Sequence, residues 1–234
     1  MTDAAVKSIY DHLEELRGRI FVSIIFLLLA SVFSYPLASS LLARIKTDLL
    51  SGQQLVIIAP LEAVSVNVKI SILLGFLFSL PLLAYELWAF VRPALTRRES
   101  SMIAGALLPS AFLFLLGAVF AYKVLLPVTL SFMLNEAYPA ATPMLSLNET
   151  VSFILFIVAT TGLSFQLPLV VYALAKAGVV DRQTLSSKRK HVIVVIFIFA
   201  ALITPDPTFV SQILVALPMV LLYEAGVLIA RITS

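Results

Sequence analysis

The chain has no cysteine, only two histidines and few charged residues for its length. Without cysteine, its 234 residues form no disulfide, no thiolate metal site and no cysteine nucleophile. Charged residues make up 12% of the chain and hydrophobic residues 61%, whereas a soluble domain is typically about 25% charged. These proportions indicate an integral membrane protein and leave little length for a separate soluble domain.

Motifs of common enzymes are also missing from the sequence. It contains no His-Glu-x-x-His pair, no Gly-x-Ser-x-Gly elbow and no glycine-rich phosphate loop. The net charge of +3 is modest, and the basic residues are divided among short connections instead of forming one face. We therefore expect no enzyme, no nucleic-acid partner, no cofactor and no metal.

Long apolar runs define the expected fold. A helix needs about 20 apolar residues to cross the hydrocarbon core of a bilayer. We predict an all-α polytopic membrane protein with six transmembrane helices, several kinked by proline, in a curved bundle. A single membrane domain covers residues 1–234, with spans at about 19–37, 66–91, 102–124, 150–175, 190–204 and 209–230.

The last two spans and the two long connections are the least regular parts of this pattern. The fifth apolar run is short and is followed by Thr204-Pro205-Asp206-Pro207, which is typical of a tight turn. One re-entrant unit over 190–230 is the alternative, but we favour two spans because the turn divides the run. The connections 38–65 and 125–149 contain broken apolar stretches, for which we predict short helices.

Lysine and arginine are distributed unevenly between the two sides that six spans define. Twelve of the 16 basic residues lie near the termini or in the connections on the same side as the termini. Because cytoplasmic segments carry the excess of Lys and Arg, both termini are predicted to be cytoplasmic.

Two glutamates stand out on the predicted cytoplasmic side. Glu15 lies at the entrance to the first span, and Glu99 lies between the second and third. Neither is needed for orientation, since acidic residues contribute little to it. Spacing alone leaves a simple interpretation open, in which Glu15 pairs with Arg19 and Glu99 with a neighbouring arginine.

Polar residues also occur within the predicted spans. Gln166 lies mid-helix, whereas Glu86 and Glu224 lie nearer cytoplasmic ends. A polar group at membrane depth usually faces the bundle interior, a cavity or a partner. For Gln166 the alternatives are a partner helix and a hydrogen bond between helices. For the two glutamates, anchoring at the membrane interface is the simpler interpretation.

The hexapeptide His12-Leu13-Glu14-Glu15-Leu16-Arg17 precedes the first apolar run. It resembles the N-terminal signature of the TatC family, the multi-span receptor of the twin-arginine protein translocase. The likeness continues in order along essentially the whole chain, at Tyr85–Leu95, Gly117–Tyr122, Phe165–Pro168, Thr204–Asp206, Ser211-Gln212 and Pro218. One departure is Gln166, where many members have glutamate, which leaves open any role that requires a charge there.

The resemblance implies a receptor and core component that binds twin-arginine signal peptides of folded proteins at the cytoplasmic face. Glu15 and Glu99 fall on the two family glutamates that recognise the arginine pair. Secondary contacts to the signal peptide or a partner are expected from His12, Leu16, Arg17, Phe90, Pro93, Gln166 and Asp206.

Partners and location follow from the same resemblance. It implies assembly with single-span TatA/TatB-type membrane proteins, contact with membrane lipid, export driven by the proton-motive force, and room for a homo-oligomer. The expected location is the cytoplasmic (inner) membrane of a prokaryote.

The alternative class is a secondary transporter or channel subunit for a small solute or ion. Paired broken helices and an ionisable midplane site are expected of a transporter, but here only uncharged Gln166 lies near a midplane.

Overall fold

Helices make up almost all of the structure. The computed structural model describes residues 3–92, 105, 107–138, 143–176, 188–203 and 209–232. Its helices are α1 (Asp3–Leu49), α2 (Glu62–Val91), α3 (Leu107–Phe120), α4 (Leu126–Ala137), α5 (Leu147–Ser164), α6 (Leu167–Lys176), α7 (Arg189–Ile203) and α8 (Phe209–Ile232). A π-helical turn, Ala121–Leu125, joins α3 to α4, and a two-residue break separates α5 from α6. The described helices therefore form six segments.

Four of these segments are long and apolar enough to cross a membrane. Within the described residues they are His12–Leu49, Glu62–Val91, Pro109–Asn135 and Leu147–Val171. Large apolar side chains cover their outer faces, such as Phe33 at 79% exposed and Phe78 at 59%. Apolar surface on this scale fits contact with lipid. The predicted all-α polytopic membrane fold is confirmed.

The first helix extends beyond the predicted span 19–37. It continues through Pro36 to Leu49, so the short helix expected in the connection 38–65 is instead the last part of α1. Ala38 and Ile45 on this part are 0% and 2% exposed. They are seven residues apart, about two helical turns, so one buried face against the core accounts for the continuation.

The two long connections meet in a small parallel sheet. Strand β1 (Leu55–Val56) pairs with β2 (Leu145–Ser146), with Leu55 opposite Leu145. Gly52, with a φ of +84°, turns the chain between α1 and β1 in a conformation that glycine adopts readily. The other predicted short helix, in the connection 125–149, lies in α4 and continues from α3 through the π-helical turn.

Helices α1 and α2 approach each other closely at Gly75. A Cβ atom on this residue would lie 2.6 Å from the backbone N and Cα of Ser31. The hydroxyl of Ser31 donates to the carbonyl of Leu27 in its own helix at 2.7 Å, so the contact leaves no unpaired hydroxyl proton. The absence of a side chain at Gly75 therefore lets α2 lie directly against α1.

Candidate functional site

Three charged side chains form a cluster between the first two helices. Arg19 donates from Nη2 and Nε to Glu15 Oε1 at 2.7 and 3.0 Å, and from Nη1 to Glu86 Oε2 at 2.9 Å. One guanidinium therefore binds two carboxylates from different helices. This Glu15–Arg19–Glu86 cluster has two negative charges for one positive charge.

Helix geometry explains the cluster. Glu15 and Arg19 are four residues apart on α1, which places them on the same face. Glu86 lies near the end of α2, and the close approach at Gly75 holds α2 against α1. The side chain of Glu86 is 14% exposed, whereas that of Glu15 is 35% exposed. Water therefore screens the Glu15 pair more than the Glu86 pair.

One oxygen of Glu15 has no hydrogen-bond donor among the described residues. Its Oε2 lies 3.8 Å from His12 Nδ1, beyond hydrogen-bond distance, and accepts no hydrogen bond from the described part of the chain. The His12 ring stacks on Phe90 of α2, with centroids 4.4 Å apart and planes inclined by 16°. The structure thus brings three predicted site residues, His12, Glu15 and Phe90, into one patch.

Leu16 and Arg17 lie outside this patch. Leu16 is half-buried and Arg17 is exposed. Both line a shallow groove of about 340 Å³ with Leu13 and Ile20. Since successive helical residues are about 100° apart, this groove is on a different face of α1 from Arg19. The remaining predicted site residues, Glu99, Pro93 and Asp206, lie outside the described residues.

Gln166 lies in the break between α5 and α6. Its Nε2 donates to the carbonyl of Ser110 in α3 at 3.0 Å. Pro168 has no N–H with which to continue the regular helical bonding, which accounts for the break. A hydrogen bond between helices is therefore present at Gln166, and contact with a partner helix stays a prediction.

Sequence reasoning missed the role of Glu86. We expected anchoring at the membrane interface, but this carboxylate pairs with Arg19. Arg189 Nη2 and Glu224 Oε2, on α7 and α8, lie 3.1 Å apart and repeat the arrangement. In both pairs, an arginine near the start of one apolar run meets a glutamate near the end of the next apolar helix. Opposite charges at the same depth in consecutive spans were the available signal.

A second carboxylate, Glu62, lies at the opposite end of α2 and is 7% exposed. Its Oε2 accepts from the backbone N–H of Ile58 at 2.6 Å and Ala59 at 3.2 Å. Its Oε1 accepts from the hydroxyl of Ser146 at 2.9 Å and the N–H of Asn148 at 2.6 Å. Glu62 therefore joins the start of α2 to the start of α5.

The fold and its charged clusters define a multi-span helical membrane protein. Among the described residues, no group of three or more His, Asp or Glu side chains is arranged to hold a metal ion. The model of the family "Sec-independent protein translocase protein (TatC)" matches residues 11–218. The chain belongs to the TatC family. It is a protein-transport component of a translocase and not an enzyme.

Relatives from bacteria and plastids resemble the chain over most of its length. TatC of Aquifex aeolicus is 37% identical over 229 residues, covering 96% of this chain and 95% of the relative. TatC of Helicobacter pylori (strain ATCC 700392 / 26695) is 35% identical, covering 95% and 87%. Chloroplastic TATC of Arabidopsis thaliana is 35% identical, covering 100% and 69%.

Solved structures agree with these relatives. The crystal structure of the twin arginine translocase receptor TatC in DDM is similar with a TM-score of 0.82 and 38% identity, covering 94% of this chain and 99% of that one. A second crystal structure of the receptor gives a TM-score of 0.79 and 37% identity, covering 94% and 98%. The family resemblance predicted from the sequence is confirmed.

Proposed function

We propose that this chain is the receptor and core component of a twin-arginine translocase. It binds the twin-arginine signal peptides of folded proteins. The observation that carries the proposal is the guanidinium of Arg19, bound by Glu15 and Glu86 at 2.7 to 3.0 Å. These carboxylates accept an arginine head group within the chain itself, and Oε2 of Glu15 accepts no hydrogen bond from the residues that the structure describes.

Charge and geometry favour an arginine ligand at Glu15. The cluster has one more negative charge than positive, so an incoming guanidinium brings it to neutrality. A guanidinium forms two parallel bonds with a carboxylate, which an ammonium group does not. Two adjacent arginines need a second acceptor, and the family motif assigns that role to Glu99. His12 and Phe90 border Glu15 and complete the described part of the patch.

The recognition surface is assigned to the cytoplasmic face of a prokaryotic inner membrane, with both termini cytoplasmic. The positive-inside bias of the sequence supports this orientation. At the membrane, the receptor nucleates assembly with single-span TatA/TatB-type subunits for export driven by the proton-motive force. Gln166 contributes to the partner contact, and Leu16, Arg17, Pro93 and Asp206 to secondary contacts.

Binding of a labelled twin-arginine peptide to the purified full chain in lipid nanodiscs tests the proposal. Glu15→Ala and Glu99→Ala should each weaken binding by roughly tenfold to a hundredfold, because a charge-assisted bond to arginine is lost. A twin-lysine peptide should also bind more weakly. Glu14→Ala is the matched control, because Glu14 carries the same charge and is exposed. Wild-type affinity in both site variants would refute the proposal.

A further inference from the structure

Arg19 and a signal-peptide arginine compete for the same oxygen. Both N–H groups that Arg19 directs to Glu15 reach Oε1, at 2.7 and 3.0 Å, while Oε2 accepts no hydrogen bond within the described residues. A ligand arginine that forms two parallel bonds needs both oxygens of the carboxylate. It therefore has to displace Arg19 from Oε1.

We propose that Arg19 is an internal competitor that sets the affinity for the signal peptide and drives its release. In the free receptor Arg19 occupies Oε1 of Glu15. In the complex the ligand guanidinium takes both oxygens of Glu15, and Arg19 stays bound to Glu86. When Arg19 returns to Oε1, the ligand dissociates without leaving Glu15 unpaired. The inference rests on the proposed function, because the competitor acts at the proposed recognition carboxylate.

Glu86 makes this exchange feasible. Its side chain is the least exposed of the cluster at 14%, and it accepts Nη1 of Arg19 at 2.9 Å. A half-buried guanidinium with no partner would be strongly unfavourable. Because Nη1 is separate from the groups that contact Glu15, Arg19 keeps one ion pair when the other opens. Glu86 is thus a positioning residue that acts through Arg19.

The charge balance is consistent with exchange. In the free cluster one guanidinium serves two carboxylates. After a ligand arginine binds, two guanidinium groups serve the same two carboxylates, and each carboxylate has a partner of its own. Glu15 is the more exposed carboxylate at 35%. The ion pair that opens is therefore the one whose separated charges water solvates better.

Binding kinetics of the twin-arginine peptide on the full chain in nanodiscs test the inference. Arg19→Gln should lower Kd by about three- to tenfold, the scale of a partly screened ion pair. Most of the change should lie in a slower koff, because the displacing group is lost. Arg92→Gln is the matched control, an exposed arginine over the Trp88 ring. Loss of the Arg92 charge should change mainly kon, and this effect on kon should become smaller at high salt.

Two further variants separate competition from other roles of Arg19. Arg19→Lys keeps the charge but lacks the planar fork, so its affinity should lie between those of wild type and Arg19→Gln. Glu86→Gln should weaken binding in the wild-type background, because Arg19 then pairs with Glu15 alone. The same change should have no effect in the Arg19→Gln background. A direct contact between Glu86 and the ligand would weaken binding in both backgrounds.

A twin-lysine peptide completes the test. An ammonium group needs only Oε2, so Arg19→Gln should improve lysine-peptide binding less than arginine-peptide binding. If Arg19→Gln and Arg19→Lys bind the twin-arginine peptide no more tightly than Arg92→Gln, Arg19 is a scaffold and the inference is wrong. If neither Arg19→Gln nor Arg19→Lys folds, Arg19 is likewise a scaffold residue and the inference is wrong. Wild-type binding by Glu15→Ala would instead refute the recognition site itself.

Discussion

The two ends of α2 use carboxylates in opposite ways. At its start, Glu62 is 7% exposed, and each of its two oxygens accepts two hydrogen bonds from neutral donors. At its end, Glu86 shares one guanidinium with Glu15 of α1, which is 35% exposed and whose Oε2 has no donor within the described part of the chain. Both oxygens of Glu62 thus have donors, whereas the described residues supply none to Oε2 of Glu15.

This difference distinguishes Glu62, a carboxylate with a structural role, from Glu15, the carboxylate proposed to bind the signal peptide. A buried charge is tolerated when its hydrogen-bonding capacity is filled, and Glu62 meets that condition through two connections and two helices. The hydrogen-bonding capacity of Glu15 is not filled by the described residues, and its Oε2 faces the ring of His12 near the surface. The same residue type therefore stabilises the fold at one end and, under the proposed function, binds a ligand at the other.

The largest expected contrast between the two ends is their side of the membrane. Because the chain has no cysteine, single cysteines report accessibility directly. In intact spheroplasts an impermeant maleimide should label Ser51→Cys, at the Glu62 end, and leave Lys190→Cys unlabelled until the membrane is permeabilised. Both positions are exposed in the structure. The reverse labelling pattern would place Glu15 outside the cell and contradict the proposed function.

Removing the Glu62 carboxylate should cost more stability than any other single change considered. Glu62→Ala leaves three backbone N–H groups and one hydroxyl without their acceptor, so we expect a loss of about 3–5 kcal/mol. Thermal unfolding of the purified protein measures this loss. Glu149→Ala, an exposed carboxylate nearby, should change stability little. Equal unfolding temperatures for the two variants would show that Glu62 is not a structural carboxylate.

The sequence predicted the membrane class, the family and six helical segments, because long apolar runs and proline turns are local signals. It did not predict that α1 continues to Leu49. That extension depends on burial of Ala38 and Ile45 against other helices, which no local pattern reveals. Helix ends that are stabilised by tertiary contacts are therefore the part of the fold that a sequence leaves open.

The candidate site was predicted only in part for the same reason. Glu15 and its i,i+4 partner Arg19 are visible as a local pair, and the family signature marks His12. Glu86 joins the pair from 67 residues away, through helix packing that spacing does not encode. Glu62 was not predicted as a structural carboxylate, because its four donors come together only through folding.

A substitution midway along α2 should affect both ends of the helix. Gly75→Ala places a Cβ 2.6 Å from the Ser31 backbone and should cost about 1–3 kcal/mol by overpacking. Separation of α1 from α2 should also lengthen the Arg19–Glu86 pair and change peptide affinity. Gly18→Ala is the matched control, since a Cβ there meets nothing within 4 Å, and it should preserve or raise the unfolding temperature. Equal behaviour of the two variants would show that α1 and α2 are not rigidly coupled.

The smallest expected effect on stability belongs to Gln166, which lies away from both ends. Gln166→Leu removes the bond from Nε2 to the Ser110 carbonyl, and hydrogen bonds between membrane helices contribute only about 0.6 kcal/mol on average. Gln212→Leu, which removes a 3.0 Å bond to the Phe197 carbonyl, should cost a similar amount. The side-chain oxygen of Gln166, Oε1, accepts no hydrogen bond within the described residues, and a polar group at this depth requires a partner. Gln166→Leu should therefore reduce photo-cross-linking to a single-span subunit while leaving peptide binding within about twofold of wild type. Unchanged cross-linking in the folded variant would assign Gln166 to the bond with α3 alone.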